Sequence, residues 1–159
     1  MKETTSIDSY SAKILSSLQD DGRLTVQEIG DRIGLSSTPT WKRIKELERQ
    51  GVIQRYAAIL NRSKIGLGNC VLAEINLSRH IKNVVNDFEK AIQECPAIIE
   101  CYSVTGQADY LIKVVTPDVA SYDAFLYAVV FKLPGVSSIR SSIVLREVKS
   151  AAQLPLDHL

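Results

Sequence analysis

Apolar residues recur at three- and four-residue spacing from Ser6 onward, at Ile7, Tyr10, Ile14, Leu15 and Leu18, which places them on one face of a helix. Asp20-Asp21-Gly22 ends that helix. Thr25, followed three residues later by Glu28, forms a capping box, and Val26, Ile29 and Ile33 make the buried stripe of a short second helix. Gly34 stops it, because a left-handed residue after the last turn is cheapest without a side chain. Ser36 is placed to cap a third helix, in whose first turn Pro39 is tolerated and along whose inner face Trp41, Ile44 and Leu47 run. Gly51 closes it. The β-branched and apolar residues of 52–60 then predict an extended segment leading out of a first domain, 1–60, and 61–69, with Gly66 and Gly68, reads as a linker.

Beyond residue 69 the period changes to two. Val71, Ala73, Ile75 and Leu77 alternate with Cys70, Leu72, Glu74 and Asn76, the mark of a strand. Helical spacing returns at Val84, Val85, Phe88, Ala91, Ile92 and Cys95, and Pro96 ends it. Ile98 to Thr105 and Tyr110 to Val115 are strand-like about the tight Gly106-Gln107-Ala108-Asp109. Tyr122, Phe125, Leu126, Val129, Val130 and Leu133 mark a helix stopped by Pro134-Gly135, and Ile139 to Leu145 give a last strand. Strand, helix, strand, strand, helix, strand is the split βαβ order of a ferredoxin-like βαββαβ sheet with both helices on one face, over 70–150, with a tail at 151–159. The fold class is therefore α+β. One sheet face remains to be covered, and Val71, Ile75, Ile139 and Ile143 are the residues expected to pair it with another copy.

Composition excludes more than it identifies. No window reaches the ~18 uninterrupted apolar residues of a membrane span, and the first residues lack an apolar export segment, so the expected location is the cytoplasm. Cys70, Cys95 and Cys101 are odd in number and lack C-x-x-C spacing, which argues against a disulfide framework or zinc. His80 and His158 have no ligand-spaced neighbours. No metal, cofactor or catalytic constellation is expected, hence no enzyme. The formal net charge of +1 becomes informative when split along the chain. From Ser36 to Lys64 the bases are Lys42, Arg43, Lys45, Arg49, Arg55, Arg62 and Lys64, and the acids are Glu46 and Glu48, so seven minus two gives +5. Such a block is the electrostatic footprint of a small nucleic-acid-binding face.

The second and third helices, joined through Gly34-Leu35-Ser36, form a helix-turn-helix whose third helix enters the major groove of double-stranded DNA. With Ile44 and Leu47 inward, Ser37, Thr38, Lys42 and Lys45, and partly Thr40 and Arg43, face outward. Thr38 and Lys42 are assigned to base edges, and Arg43, Lys45 and Arg55 mainly to phosphates. Trp41 fits either burial or an edge position whose indole N–H meets a phosphate.

Asp8-x-x-x-x-Lys13-Ile14-Leu15-x-x-Leu18-Gln19-x-Asp21-Gly22-Arg23, then Ile33-Gly34-Leu35-Ser36-Ser37-Thr38-Pro39-x-x-Lys42-Arg43, then Leu47-Glu48-x-x-Gly51-Val52-Ile53 resemble the Lrp/AsnC transcription regulators. So do Glu100-Cys101-Tyr102-x-Val104-Thr105-Gly106-x-Ala108-Asp109-Tyr110-Leu111 and Leu133-Pro134-Gly135-Val136. The resemblance implies a winged-type helix-turn-helix, a ferredoxin-like regulatory domain, homodimers that associate into octamers or similar rings, and an amino-acid effector bound where dimers meet. Two departures, Ser37 where the family often has proline and Thr40-Trp41 for the frequent Cys-Leu, bear on operator sequence. Trp41-Lys42-Arg43 also resembles a subgroup with cysteine-responsive members.

The Gly106–Asp109 turn has a rationale of its own: exposed backbone N–H groups beside a glycine receive a carboxylate, and Asp109 answers an ammonium, so both ends of a free amino acid find partners. Glycine and aspartate in a hairpin are also ordinary turn chemistry. By carry-over from the resemblance, Thr105, Gly106, Asp109, Tyr110 and Ser142 are the expected effector contacts. The expected function is sequence-specific DNA binding that adjusts transcription, with assembly or operator affinity modulated by an amino acid. The rival is an amino-acid-metabolism enzyme or sensor with a ferredoxin-like regulatory subdomain.

Overall fold

The computed structural model describes residues 7–78, 83–150 and 153–158. The chain divides into two compact units, Met1–Ile59 with Lys149–Leu159, and Leu60–Val148.

The first unit is built on α1 (Ser9–Asp20), α2 (Val26–Ile33) and α3 (Ser37–Arg49). The Asp8 carboxylate accepts the Ser11 N–H at 2.8 Å and so caps α1. Both halves of the expected capping box close at α2, with Glu28 N–H donating to Thr25 Oγ1 at 3.2 Å and Thr25 N–H donating to Glu28 Oε2 at 2.7 Å. Gly34 ends α2 at φ +76°, the left-handed conformation that the glycine foretold. Ser36 stands at the N-cap of α3, yet its side chain makes no capping bond. Its carbonyl accepts the Thr40 hydroxyl at 2.9 Å. Ile14, Ile29, Ile33, Ile44 and Leu47 form the core.

The C-terminal tail belongs to this unit. Gln19 at the end of α1 meets the tail backbone as a second strand would: its Nε2 donates to the Leu154 carbonyl at 3.1 Å and its Oε1 accepts the Leu154 N–H at 2.7 Å. Gln153 Nε2 donates to Asp20 Oδ1 at 3.0 Å. Leu154 and Leu156 line a groove with Leu15, Leu18, Val52, Ile53 and Tyr56.

The second unit holds β1 (Asn69–Leu77), α4 (Val84–Gln93), β2 (Ile98–Ser103), β3 (Tyr110–Thr116), α5 (Val119–Ala128) and β4 (Val136–Ile143). The strand order is β2-β3-β1-β4 and every pairing is antiparallel. This is the ferredoxin-like arrangement expected from the element order. The last helix is shorter than its apolar spacing implied: a 3-10 turn, Val130–Lys132, follows Ala128. Val129-Val130 is a β-branched pair that crowds a continuing helix, and the tighter turn leaves both Val130 and Leu133 buried.

The face assignment of the sheet is corrected by the register. Val71, Ala73, Ile75 and Leu77 are buried in one core with Phe88, Ile92, Tyr122 and Val130, so this row faces the helices. Ile139 packs on the same core, and Ile143, paired with Val71, shares its row. Alternation then puts Leu72, Glu74 and Asn76 of β1 on the other face, together with Glu100, Tyr102, Leu111, Lys113, Ser138, Arg140 and Ser142. That face is mixed rather than apolar. Lys113 pairs with Glu100 at 3.2 Å and Arg140 with Glu74 at 3.4 Å across strands.

Candidate nucleic-acid interface and ligand cavity

On α3 the helical period puts Thr40, Ile44 and Leu47 on the buried line and leaves Thr38, Trp41, Lys42, Lys45, Glu46 and Arg49 exposed. Thr40 is therefore a correction to the expected DNA-facing set. It is fully buried, and its hydroxyl is satisfied by the Ser36 carbonyl. Arg43 is a partial correction, for it is half-buried and already engaged: its guanidinium pairs with the Asp8 carboxylate and lies 5.4 Å from the centre of the Tyr10 ring. The Ser11 amide and hydroxyl and then Arg43 hold the Asp8 carboxyl below the ordinary carboxylate range. Arg43 thus fastens α3 to the start of α1, a contact between residues 35 apart in sequence that no local pattern announces.

The remaining positions differ in how free they are. The Ser37 hydroxyl donates to Gln27 Oε1 on α2. Lys45 Nζ lies 2.7 Å from Glu48 Oε2, and the lysine holds that carboxyl below its ordinary range. Both partners are exposed enough for a DNA phosphate to compete with the pair. Thr38, Lys42 and Arg55 are exposed and make no side-chain hydrogen bond or ion pair among the described residues. Trp41, the one tryptophan of the chain, is 50% exposed. Of the two positions open to it, the structure selects the exposed one.

In the second unit the β2–β3 turn is tied to β1. The Asp109 N–H donates to the Ile75 carbonyl at 3.1 Å, and Asp109 Oδ2 accepts the Leu77 N–H at 2.8 Å. Half of that carboxylate is thus occupied in holding the turn, which sequence spacing did not reveal. Thr105 and Gly106 are exposed at its tip, Gly106 at φ +118°, where a side chain would be strained. Tyr110 is buried. Its hydroxyl donates to Glu89 Oε1 at 2.7 Å, and burial, then this bond to a carboxylate, push the phenol up to about 12.

Beside the turn lies an open cavity of about 510 Å³, lined by Leu77, Ser78, Val84, Val85, Glu89, Ser103, Val104, Asp109 and Tyr110. It brings together Asp109 and Tyr110 and adds Glu89, which sequence reasoning missed. Thr105 and Gly106 are not among its lining residues. Ser142 is not part of it: it pairs with Leu72, five residues along β1 from Leu77 and so roughly 16 Å away, on the outer face of the sheet. Among the described residues no group of three or more His, Cys, Asp or Glu could hold a metal ion, and His80 lies outside them. No helix of the described residues is long and apolar enough to cross a membrane.

Comparison with known proteins agrees with both units. Residues 7–54 match a winged helix-turn-helix DNA-binding model, and residues 70–154 match the Lrp/AsnC ligand-binding domain. The leucine-responsive regulatory protein of Escherichia coli K12 is 40% identical over 148 residues, 93% of this chain and 90% of that protein, and that of Klebsiella pneumoniae is equally similar. Among solved structures, a transcriptional regulator from Neisseria meningitidis in complex with L-methionine superposes with a TM-score of 0.92 at 33% identity, covering 96% of this chain and 99% of that one. An AsnC-family regulator from Agrobacterium tumefaciens gives 0.90 at 35%, with 96% and 99% covered. The motifs along the chain, the helix-turn-helix with its exposed recognition stripe and the ferredoxin-like unit thus meet in one conclusion: the chain belongs to the Lrp/AsnC family of DNA-binding transcriptional regulators.

Proposed function

We propose that this regulator binds operator DNA through the exposed stripe of α3, with Thr38, Trp41 and Lys42 at base edges and Lys45, Arg55 and the first-turn residue Ser37 toward phosphates. The observation that carries this reading is that Thr38 and Lys42 are exposed one turn apart on a helix whose opposite side is fixed to the core by Thr40, Ile44 and Leu47. Arg43 serves as the fastening of that helix. The chain acts without catalysis, in the cytoplasm on the nucleoid, as a homodimer that associates further, to an octamer by the family resemblance. Electrophoretic mobility shift on the gene's own upstream region, beside a scrambled duplex, tests it. Equal affinity for both at every salt concentration refutes sequence-specific binding.

The same proposal places an amino-acid effector in the cavity beside Asp109. Glu89 and the free oxygen of Asp109 suit its ammonium group, and Val84, Val85 and Val104 an apolar side chain; the turn amides at Gly106, between Val104 and Asp109 in the chain, are the proposed partners of its carboxylate. The methionine held by the Neisseria regulator supports an effector of that character. Asp109→Asn separates charge from structure, because the amide oxygen still accepts the Leu77 N–H. Calorimetry against the twenty amino acids should show binding to the native protein and a loss of at least tenfold in the variant. Unchanged binding by Asp109→Asn displaces the site.

A further inference from the structure

The indole of Trp41 is uncommitted. The first-unit core is complete without it: Ile14, Ile29, Ile33, Ile44 and Leu47 form the centre and Val26, Leu35, Val52 and Ile53 pack around them. Among the described residues it has neither an aromatic neighbour nor a hydrogen-bond partner. It borders a shallow depression shared with Val26, Ser37 and Thr38, where the start of α2 meets the first turn of α3. The Ser37 hydroxyl is engaged by Gln27, and the surface that Trp41, Val26 and Thr38 leave open in that depression is mainly apolar. Lys42 follows directly and Thr38 precedes by three residues, so the indole sits between the two exposed polar residues in the N-terminal half of the helix. In a helix-turn-helix the N-terminal residues of the recognition helix contact base edges, while the preceding helix crosses the phosphate backbone.

The floor of the major groove is lined with hydrogen-bond donors and acceptors, and only one base edge carries an apolar group there, the C5-methyl of thymine. A half-exposed indole in an apolar depression has that methyl as its complement. We propose that Trp41 is a specificity-determining residue that reads a thymine by enclosing its methyl group between the indole, Val26 and Thr38. This rests on the reading of α3 as the recognition helix. It adds what that reading lacks, a position in the operator where T·A is required for an apolar reason.

The test uses the full-length protein. Duplexes are selected from a random pool by the native protein, and each thymine of the selected site is replaced in turn by deoxyuridine, which removes the methyl and nothing else. One replacement should weaken native binding about fourfold, the value of one buried methyl. In Trp41→Ala the same replacement should have no effect. Because Trp41 is the only tryptophan, its emission should also change on binding the native duplex and change less on the deoxyuridine duplex. Trp41→Phe, which retains an aromatic face, should keep part of the discrimination and guards against a poorly folded alanine variant. If Trp41→Ala instead weakens all sequences alike and lowers the salt slope, the indole meets a phosphate and the proposal is overturned. If no deoxyuridine position affects the native protein, it is overturned as well, while the reading of α3 stands. A native protein that selects no sequence removes the reading of α3, and the role of Trp41 with it.

Discussion

Of the glycines in the first unit, Gly30 leaves the least room for a side chain, and Gly30→Ala tests that packing quantitatively. A Cβ at Gly30 would lie 2.5 Å from the Leu35 carbonyl oxygen, half an ångström inside the 3.0 Å below which such contacts essentially never occur, and 3.2 Å from Thr40 Oγ1. The Leu35 oxygen cannot easily retreat, because the Leu35 N–H is bonded to the Gly30 carbonyl at 2.9 Å. Thr40 is buried and its hydroxyl is held by Ser36. Alanine gains about 1 kcal/mol in helix propensity over glycine, while overpacking of a well-filled site costs about 1–3 kcal/mol. A 2.5 Å approach to a held carbonyl belongs in the upper part of that range, about 2–3 kcal/mol, so the net expectation is a loss of about 1–2 kcal/mol. Urea unfolding followed by Trp41 emission reports the first unit alone, since no other tryptophan contributes. With a slope near 1 kcal/mol per molar for a unit this small, the midpoint should fall by about 1–2 M. A midpoint that is unchanged or raised would show that the turn yields freely and that the close approach of α2 to Leu35 does not constrain the motif.

The other predictions address single contacts. Asp8→Ala removes the cap of α1 together with the partner of Arg43 and should cost the first unit about 1 kcal/mol by the same fluorescence assay. Because the Asp8 carboxyl lies below its ordinary range in the folded chain, its contribution is present above the unfolded value and fades as pH falls through the lowered one. The native protein should lose this increment in acid, and Asp8→Ala should not. Tyr110 has the opposite sign: its phenol is raised to about 12, so its stabilisation is complete below pH 10 and is lost between about 10 and 12. Tyr56, Tyr102 and Tyr122 are also raised, and absorbance at the tyrosinate band should show, as the last to titrate, a group near 12 that Tyr110→Phe removes; titration of all six tyrosines near 10 contradicts the Glu89 bond. Gln19→Ala should destabilise the first unit by about 1 kcal/mol through the two lost tail bonds, and ending the chain at Val148 should remove that sensitivity.

What the sequence disclosed was local in origin. The capping box at Thr25 and Glu28, the left-handed Gly34 and the βαββαβ order each depend on residues within a few positions of one another, and all are present in the structure. Thr40 was legible too: four residues before Ile44 and seven before Leu47, it falls on the same buried line, and its polar side chain alone argued for the surface. The sheet faces were misassigned for a different reason. Alternation separates Val71, Ala73, Ile75 and Leu77 from Leu72, Glu74 and Asn76 but does not say which row meets the helices. Two helices cover one face only, so the more apolar row must go beneath them and the mixed row is left outside. Arg43 with Asp8, Glu89 with Tyr110 and Gln19 with Leu154 join residues 21 to 135 positions apart, and no periodicity carries such pairings.

Pairings of both kinds, local and long-range, change the meaning of the basic block. Of the seven bases that gave Ser36–Lys64 its charge, Arg43 is bound by Asp8, Lys45 by Glu48 and Arg49 by Glu46. Arg62 donates to the Leu67 and Gly68 carbonyls at 3.2 and 2.7 Å, beyond the Ile59/Leu60 division between the units. Lys42 and Arg55 are the bases of the first unit in that block without an internal partner among the described residues. A face with two free cations and a few exchangeable ones gives each copy a shallow salt dependence and modest non-specific affinity. On the proposed reading of α3, discrimination between operators falls to the short-range contacts of Thr38, Trp41 and Lys42, and useful affinity to the presentation of several such faces at once. The proposed assembly would then be a requirement of DNA recognition itself, and an effector that alters it would alter operator affinity without touching α3.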